Sequence, residues 1–340
     1  MRRYLIKRLA HTLLVLFGVS VITFFVARVI PGSPEAVWIG AKPTQAQLDE
    51  ARRELGLDKP LVVQYLVYVS RLARGDLGIS LRTRRRVSEE LATRWAATFE
   101  LVTVSILVAL VVGLPLGVLS ATHKDRPVDH LSRATSISGV AMPVFWLGLI
   151  LQMLLHGEAG LFPLQGRIGS QVLVDHPLRH VTGLYLVDAL VTGNWPAFVS
   201  ASIHLVLPTL TLSFASLAVV TRMSRSSMLE VLREDYIQTA WAYGVSRAAV
   251  LYRYALKNAL IPTVTVVGLS YGLLLGGSFM VESIFDWPGL GRYAVLSLTT
   301  NDFPAIMGVT ILFAGTYIAL NTAVDLIYYL LDPRIKTPGR

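Results

Sequence analysis

The sequence predicts an all-α polytopic membrane protein, and three observations carry that expectation. Hydrophobic residues make up 53% of the 340 positions and charged residues only 16%, against roughly 25% charged in an ordinary soluble domain. Mean hydropathy is +0.56. The apolar residues gather into runs that approach or exceed the about 20 residues needed to cross a hydrocarbon core of roughly 30 Å. Lysine and arginine collect between alternate runs, the pattern that fixes membrane topology. The net charge of +9 belongs to that pattern, so nucleic acid is not an expected partner. The chain has no cysteine, which excludes disulfides, thiolate metal sites and cysteine nucleophiles.

Six spans are predicted, near 9–30, 99–120, 135–156, 203–221, 261–281 and 305–331. The first follows a basic N-terminus, as in a signal peptide. Its apolar part is too long for one and no small-x-small cleavage site follows, so an uncleaved span is expected. Residues 31–98 form a long loop with helical spacing. TQAQLDEARRELGLD offers Thr44 as an N-cap, with Leu48, Ala51 and Leu55 on one face and Gly56 to close it. LVVQYLVYVSRLARG repeats the pattern up to Gly75. A small external cap of two or three short helices is therefore predicted. The fourth span mixes hydroxyls and a proline into its apolar run, which packed bundles tolerate. Pro115, Pro143 and Pro208 fall inside spans, where an ordinary kink is the simpler reading and a gating bend the alternative. Residues 157–202, rich in glycine, proline and histidine, have no assigned structure.

Six spans place both termini on one side, and charge selects the cytoplasm. The segments on that side carry 16 basic residues against six acidic ones, while 157–202 and 282–304 carry only Arg167, Arg179 and Arg292. The exception is 31–98, with 11 basic and eight acidic residues, a loop longer than those over which the charge rule holds. The chain thus divides into residues 1–30, an external segment 31–98, and a transmembrane domain 99–340 with a cytoplasmic loop at 222–260.

Within that loop stands EDYIQTAWAYGVSR, residues 234–247. Periodicity from Ser226 or Ser227 puts Leu229, Leu232, Tyr236 and Thr239/Ala240 on one side, with Tyr243 close by and Arg233, Glu234 and Gln238 elsewhere. Gly244 is placed to end a helix at positive φ, and Ser246 to cap the next, whose Ala249, Tyr252, Leu256 and Leu260 lead into the fifth span. Two amphipathic helices joined by a tight turn are expected. Composition leaves two uses level: an interfacial pair resting on the bilayer, or a docking knob for a soluble partner.

Gln238-Thr239-Ala240, three residues, then Gly244 resembles the coupling-loop signature of binding-protein-dependent ABC importer permeases. The longer run RMSRSSMLEVLREDYIQTAWAYGVSRAAVLYRYALKNALIP resembles the dipeptide, oligopeptide and nickel branch, most of all its dipeptide first subunit. ELGLDKP, GDLGIS, FPLQGR, ESIFDWPGLGR and DLIYYLLDPRI extend the likeness nearly end to end. Gln238 stands where the general signature has glutamate, and Tyr243 where peptide permeases usually carry lysine.

The resemblance implies the six-helix ABC type I importer permease fold in a bacterial cytoplasmic membrane. It implies a second homologous permease, two ABC ATPase subunits, an extracytoplasmic binding protein, and ATP with Mg2+ on the partner subunits only. Tyr236, Gln238, Thr239, Ala240, Tyr243, Gly244, Ser246 and Arg247 would then couple to an ATPase. The chain itself has no GxxxxGK[ST] loop, so neither nucleotide binding nor enzymatic activity is expected of it, and no cofactor.

Other candidates are weaker. Ser213, Ser216, Ser270, Gly276 and Gly277 are small or hydroxyl residues that suit a transport pathway or plain helix packing. Glu282 and Asp325 suit a gate or a packing contact, Asp325 near a membrane end where its charge costs less. Trp287, Pro288, Gly289, Gly291 and Arg292 form an external signature, read first as a hydrophobic plug and second as a gate lining or binding-protein contact. His176 and His180, four apart, make a metal site conceivable, though a loop pair of this kind usually binds nothing. Three functions stand beside one another: import of dipeptides or short peptides; the same machine carrying haem, glutathione, a nickel chelate or another small solute; and a membrane enzyme or scaffold. An enzyme should show polar residues clustered at one depth, and a lone secondary transporter inverted repeats. Neither is visible.

Overall fold

The computed structural model describes residues 2–29, 34–40 and 43–331, with side chains for 10–26, 34–40 and 43–324. Helices follow one another from end to end. They are α1 (Arg2–Val29), α2 (Pro34–Ile39), α3 (Gln45–Glu54), α4 (Leu61–Ala73), α5 (Val87–Thr122) and α6 (Pro127–Ala141). Then come α7 (Val144–Leu151), running on as a π-helical turn over Gln152–Glu158, α8 (Ser170–Asp175), α9 (Tyr185–Val191), α10 (Trp195–Val231) and α11 (Asp235–Ala242). A single turn, α12 (Arg247–Ala249), passes through a π-helical stretch at Val250–Ala255 into α13 (Leu256–Gly277). α14 (Phe279–Ile284), α15 (Leu290–Thr299) and α16 (Phe303–Leu331) complete the order. Among the described residues the only β pairing is an isolated bridge between Ile79 and Arg86.

Among the described residues four helices are long and apolar enough to cross a membrane: α5, α10, the run Arg247–Gly277, and Phe303–Val324 of α16. The third predicted span is not one straight helix. α6 and α7 meet at 108° around Pro143, which lacks an N–H and so cannot continue the α6 ladder. Counted as one broken span, this pair raises the number to five. α1 is a continuous 28-residue helix whose described apolar part is Ala10–Val26. The architecture is thus an all-α, multi-pass membrane protein with four to five candidate spans among the described residues, rather than a clear six.

The chain forms two compact units. The first comprises residues 1–98 and 288–319. Its cap holds α2, α3 and α4, and Thr44 closes a capping box with Gln47 at the start of α3. The GDLGIS stretch is a tight loop: Gly78 sits at φ +82, its N–H bonds Asp76 Oδ1 at 2.9 Å and its carbonyl accepts from Val87 N at 3.0 Å. Buried Asp302, just before α16, accepts from Ser80 Oγ and from the backbone N–H groups of Leu81 and Arg82. Val87, Leu91, Leu290, Tyr293, Ala305 and Val309 pack the core between these elements.

The second unit comprises residues 99–287 and 320–340. α10 is its axis, flanked by α6, α7, α9 and α13. Its helices approach closely through small residues, as membrane bundles do in the absence of a hydrophobic drive between helices. A Cβ on Gly113 would lie 3.0 Å from the Leu217 carbonyl oxygen, and one on Gly139 would lie 2.6 Å from Ala218 Cβ. Gly268 meets Val324 in the same way, at 2.6 Å.

Candidate functional site

The stretch 234–247 builds a rigid projection. α10 stops at Val231, and the N–H groups of Arg233 and Glu234 bond back to Glu230 and Val231. α11 then starts afresh at Asp235. This break resets the helical phase, so the buried side of α11 is Ile237 and Ala240 rather than Tyr236 and Thr239/Ala240. Ile237 is fully buried with Val118 and Ala121 of α5, Met228 of α10, and Val250, Ala255 and Ala259 around the start of α13. Burial of such a side chain contributes roughly 1.5–3 kcal/mol, enough to fix α11 on three helix ends at once.

The turn after α11 is a Schellman motif. Gly244 has φ +72, the left-handed region that a Cβ disfavours. Its N–H bonds Trp241 O at 3.0 Å and Val245 N bonds Ala240 O at 3.1 Å, which satisfies carbonyls the helix leaves open. Val245 closes the motif by packing on the cluster that holds Ala240. Ser246 accepts from Ala249 N at 3.4 Å and caps the next turn. Beyond it the π-helical stretch shifts the register, which leaves Tyr252 exposed and buries Val250 and Ala255 instead.

The outer side of this projection is aromatic. Tyr236, Trp241, Tyr243, Tyr252 and Tyr254 are all exposed, Tyr243 to 83%. Tyr236 Oη accepts from Asn258 Nδ2 at 2.7 Å, tying α11 to α13. Gln238 Nε2 donates to the Leu232 carbonyl and Thr239 Oγ1 to that of Asp235, so both polar side chains stay on their own segment. Arg247 is exposed at the start of α12.

Beneath the projection lies an ion pair that the sequence did not announce. Asp129, at the start of α6, is fully buried. Arg225 of α10 grips it through Nε at 2.6 Å and an η nitrogen at 2.8 Å. Ser120 Oγ of α5 donates to Oδ1 at 2.6 Å and Asp125 N to Oδ2 at 3.0 Å. One carboxylate thereby joins the ends of three helices.

At the opposite end of α5, Glu100 holds Arg167 at 2.5 Å and accepts from Leu186 N at 2.8 Å. The Arg167 guanidinium lies 3.7 Å from the Tyr185 ring centre and 5.5 Å from that of Trp287. This gives the FPLQGR stretch its place. Nearby, Asp188 is fully buried yet solvated by the chain: Thr182 donates through its N–H and its Oγ1, both at 2.7 Å, and Gly183 through its N–H at 3.0 Å. Burial pushes its pKa up, but these hydrogen bonds together outweigh it and hold the carboxyl below its ordinary value.

The remaining candidates separate. Ser213, Ser216 and Ser270 are buried inside the packed helices, and Ser213 Oγ donates to the Leu210 carbonyl at 3.3 Å. A Cβ on Gly276 or Gly277 would meet nothing within 4 Å. Glu282 is fully buried and accepts from Ser278 Oγ at 2.9 Å, while its carbonyl accepts from Trp287 N at 2.8 Å. Trp287 is buried and closes the second unit, whereas Pro288, Gly289, Gly291 and Arg292 open the returning part of the first. There Leu290 N donates to Thr98 Oγ1 at 2.8 Å. The Asp325 side chain lies outside the described residues. Among the described residues no cluster of three or more His, Asp or Glu could hold a metal; His180 turns to Asp188 at 3.8 Å and His176 uses its carbonyl to accept from Asn194.

The architecture is that of a multi-pass helical membrane protein with a short helix, aromatic on its exposed side, set between two candidate spans. The chain belongs to the family described as binding-protein-dependent transport system inner membrane component, whose profile matches residues 113–337, with the N-terminal profile of the same systems matching 1–102. It is 46% identical to the probable D,D-dipeptide transport system permease protein DdpB of Escherichia coli (strain K12), over 96% of this chain and 95% of that one. It is 42% identical to the di/tripeptide transport system permease protein DppB of Pseudomonas aeruginosa (strain UCBPP-PA14), over 99% of both. It is 36% identical to the glutathione transport system permease protein GsiC of Escherichia coli O6:H1, again over 99% of both. It is a transport permease subunit, not an enzyme.

Proposed function

We propose that this chain is one half of the membrane channel of an ABC importer for dipeptides and other short peptides. In this reading it pairs with a second, related permease and with two ATPase subunits that carry ATP and Mg2+, and an extracytoplasmic binding protein delivers the cargo. The bundle has six spans of the type I importer fold, with α1 as the first and the bent α6–α7 pair as the third, and both termini are cytoplasmic. Residues 31–98 form the external segment and 99–340 the permease domain.

The observation that carries the reading is α11. Its inner side, Ile237 and Ala240, is locked into the ends of α5, α10 and α13, while Tyr236, Gln238, Thr239, Tyr243, Gly244, Ser246 and Arg247 remain available to a partner. A helix so anchored transmits a push to three spans instead of yielding to it. ATP-driven approach of the two ATPases would therefore move the spans as a body. Gly276 and Gly277 border the pathway or its gate, with Ser213, Ser216, Ser270, Glu282 and Asp325 supporting it from behind.

Relatives named for di- and tripeptides support peptide cargo, and the glutathione permease at 36% identity favours a second reading, a γ-linked tripeptide. Uptake by the complete complex in proteoliposomes, with its binding protein, distinguishes them. ATP-dependent accumulation of labelled dipeptide that excess dipeptide blocks and excess glutathione does not would support the first reading. Accumulation of glutathione alone would replace the cargo, and accumulation of neither would remove the peptide assignment.

A further inference from the structure

We infer that α4 is embedded in the outer leaflet of the bilayer, so that part of the external segment reads lipid and not water. The inference rests on the six-span reading above, because it uses α1 as a depth gauge. α1 and α4 meet at one place: Ser20 hydrogen-bonds Tyr65 Oη at 2.9 Å, and Phe24 packs on the rings of Tyr65 and Tyr68 at 5.3 and 6.0 Å. Arg8 ends the basic cluster at the cytoplasmic start of α1. At about 1.5 Å per residue, Ser20 and Phe24 lie roughly 18 and 24 Å beyond it. A hydrocarbon core of about 30 Å puts both in its outer half, and α4 with them.

The side chains of α4 agree with that depth. Tyr65 and Tyr68 face α1, while Val62, Val63, Leu66 and Val67 form an exposed stripe, Val62 to 70% and Leu66 to 61%. No described residue of α4 is buried. Ile22 and Phe25 of α1, beside the seam, are bare in the same way, so the stripe continues a surface that already faces acyl chains. Gln64 and Arg71, seven apart, mark the polar line of the helix. With 13 residues, or about 20 Å, α4 is too short to cross. Lys59 before it and Arg74 after it sit where long basic side chains reach headgroups. A short helix of this kind, apolar on one side and bounded by charge, lies in the interface plane.

This chain has no cysteine, so single cysteines labelled on it before assembly with its partners report on the chosen positions. Nitroxide labels are placed at Val62→Cys and Leu66→Cys, with Leu14→Cys on α1 and Arg53→Cys on α3 as references, in the complete complex in lipid nanodiscs. Collision with oxygen, which concentrates in hydrocarbon, is compared with collision with a water-soluble nickel chelate. The inference predicts an oxygen-to-nickel ratio at 62 and 66 close to that at 14 and several-fold above that at 53. A ratio like that at 53 would overturn it. Labels shielded from both reagents would also overturn it, by showing a protein partner over the stripe. A water-like Leu14 label would instead bring down the six-span reading and take the inference with it.

Discussion

Arg225→Ala tests whether the buried pair under α11 holds the helix ends together. Asp129 has no solvent exposure and Arg225 supplies two of its four hydrogen bonds, along with the compensating charge. Removing Arg225 leaves the buried carboxylate only the looser contact with Arg133 Nε at 3.8 Å, and breaking a buried pair of this kind costs about 3–5 kcal/mol. At roughly 2–4 °C per kcal/mol for a large domain, the purified complex should melt about ten degrees lower. Arg225→Lys keeps the charge but not the two-pronged grip, so its loss should be smaller. The combined Asp129→Ala, Arg225→Met variant removes both charges and should recover most of the stability, since an apolar replacement of a buried pair is often neutral. The assay is thermal unfolding in detergent, read by the loss of the monodisperse complex on gel filtration. An Arg225→Ala protein as stable as the parent, or a double variant as weak as the single, would refute the account of this pair.

Four further outcomes follow from local geometry. Gly139→Ala should destabilise by about 1–3 kcal/mol, because its Cβ would press on Ala218 Cβ at 2.6 Å and the Phe214 carbonyl oxygen at 3.0 Å. Gly276→Ala, with open space around it, should gain up to about 1 kcal/mol of helix propensity; transport lost at unchanged melting temperature would mark it as pathway-lining. Asp188 has a lowered pKa when folded, so the native segment takes up its proton later than the unfolded one. Its contribution is present above the ordinary carboxyl value of 3.8 and is lost as pH falls through the folded value. Pepsin cleavage within 177–193 should therefore stay suppressed down to that range and rise below it, whereas Asp188→Asn should be cleaved more readily above that range and like the parent below it. At Gly244, φ +72 with no neighbour within 4 Å means strain rather than collision. Gly244→Asn should keep peptide-stimulated ATP hydrolysis, since asparagine tolerates this conformation, and Gly244→Val should lose most of it.

What was legible in the sequence was local. Apolar runs announce spans because lipid demands them, and Thr44, Gly244 and Ser246 announce caps because their chemistry acts within a few residues. Phase across a break was not legible: periodicity carried from Ser226 through Leu232–Glu234 selected Tyr236 where the structure buries Ile237. The π-helical turn at Val250–Ala255 hid the register of α13 for the same reason. Pro143 marked a break in the third span, but packing sets its 108° angle. The buried pairs were invisible because their partners lie far apart, 96 residues for Arg225 with Asp129 and 67 for Arg167 with Glu100. The one usable signal was an ionisable residue at the end of an apolar run, which is costly unless paired.

The central claim is that the aromatic side of α11 meets an ATPase. The direct measurement is photocrosslinking from a benzophenone side chain at Tyr243 in the purified, transport-competent complex, with the same group at Ile237 as the buried reference. The account predicts an adduct between this chain and an ATPase subunit from position 243, and crosslinks confined to this chain from position 237. Position 243 reacting only with lipid, while the complex still transports, would show that the projection rests on the membrane and would contradict the claim.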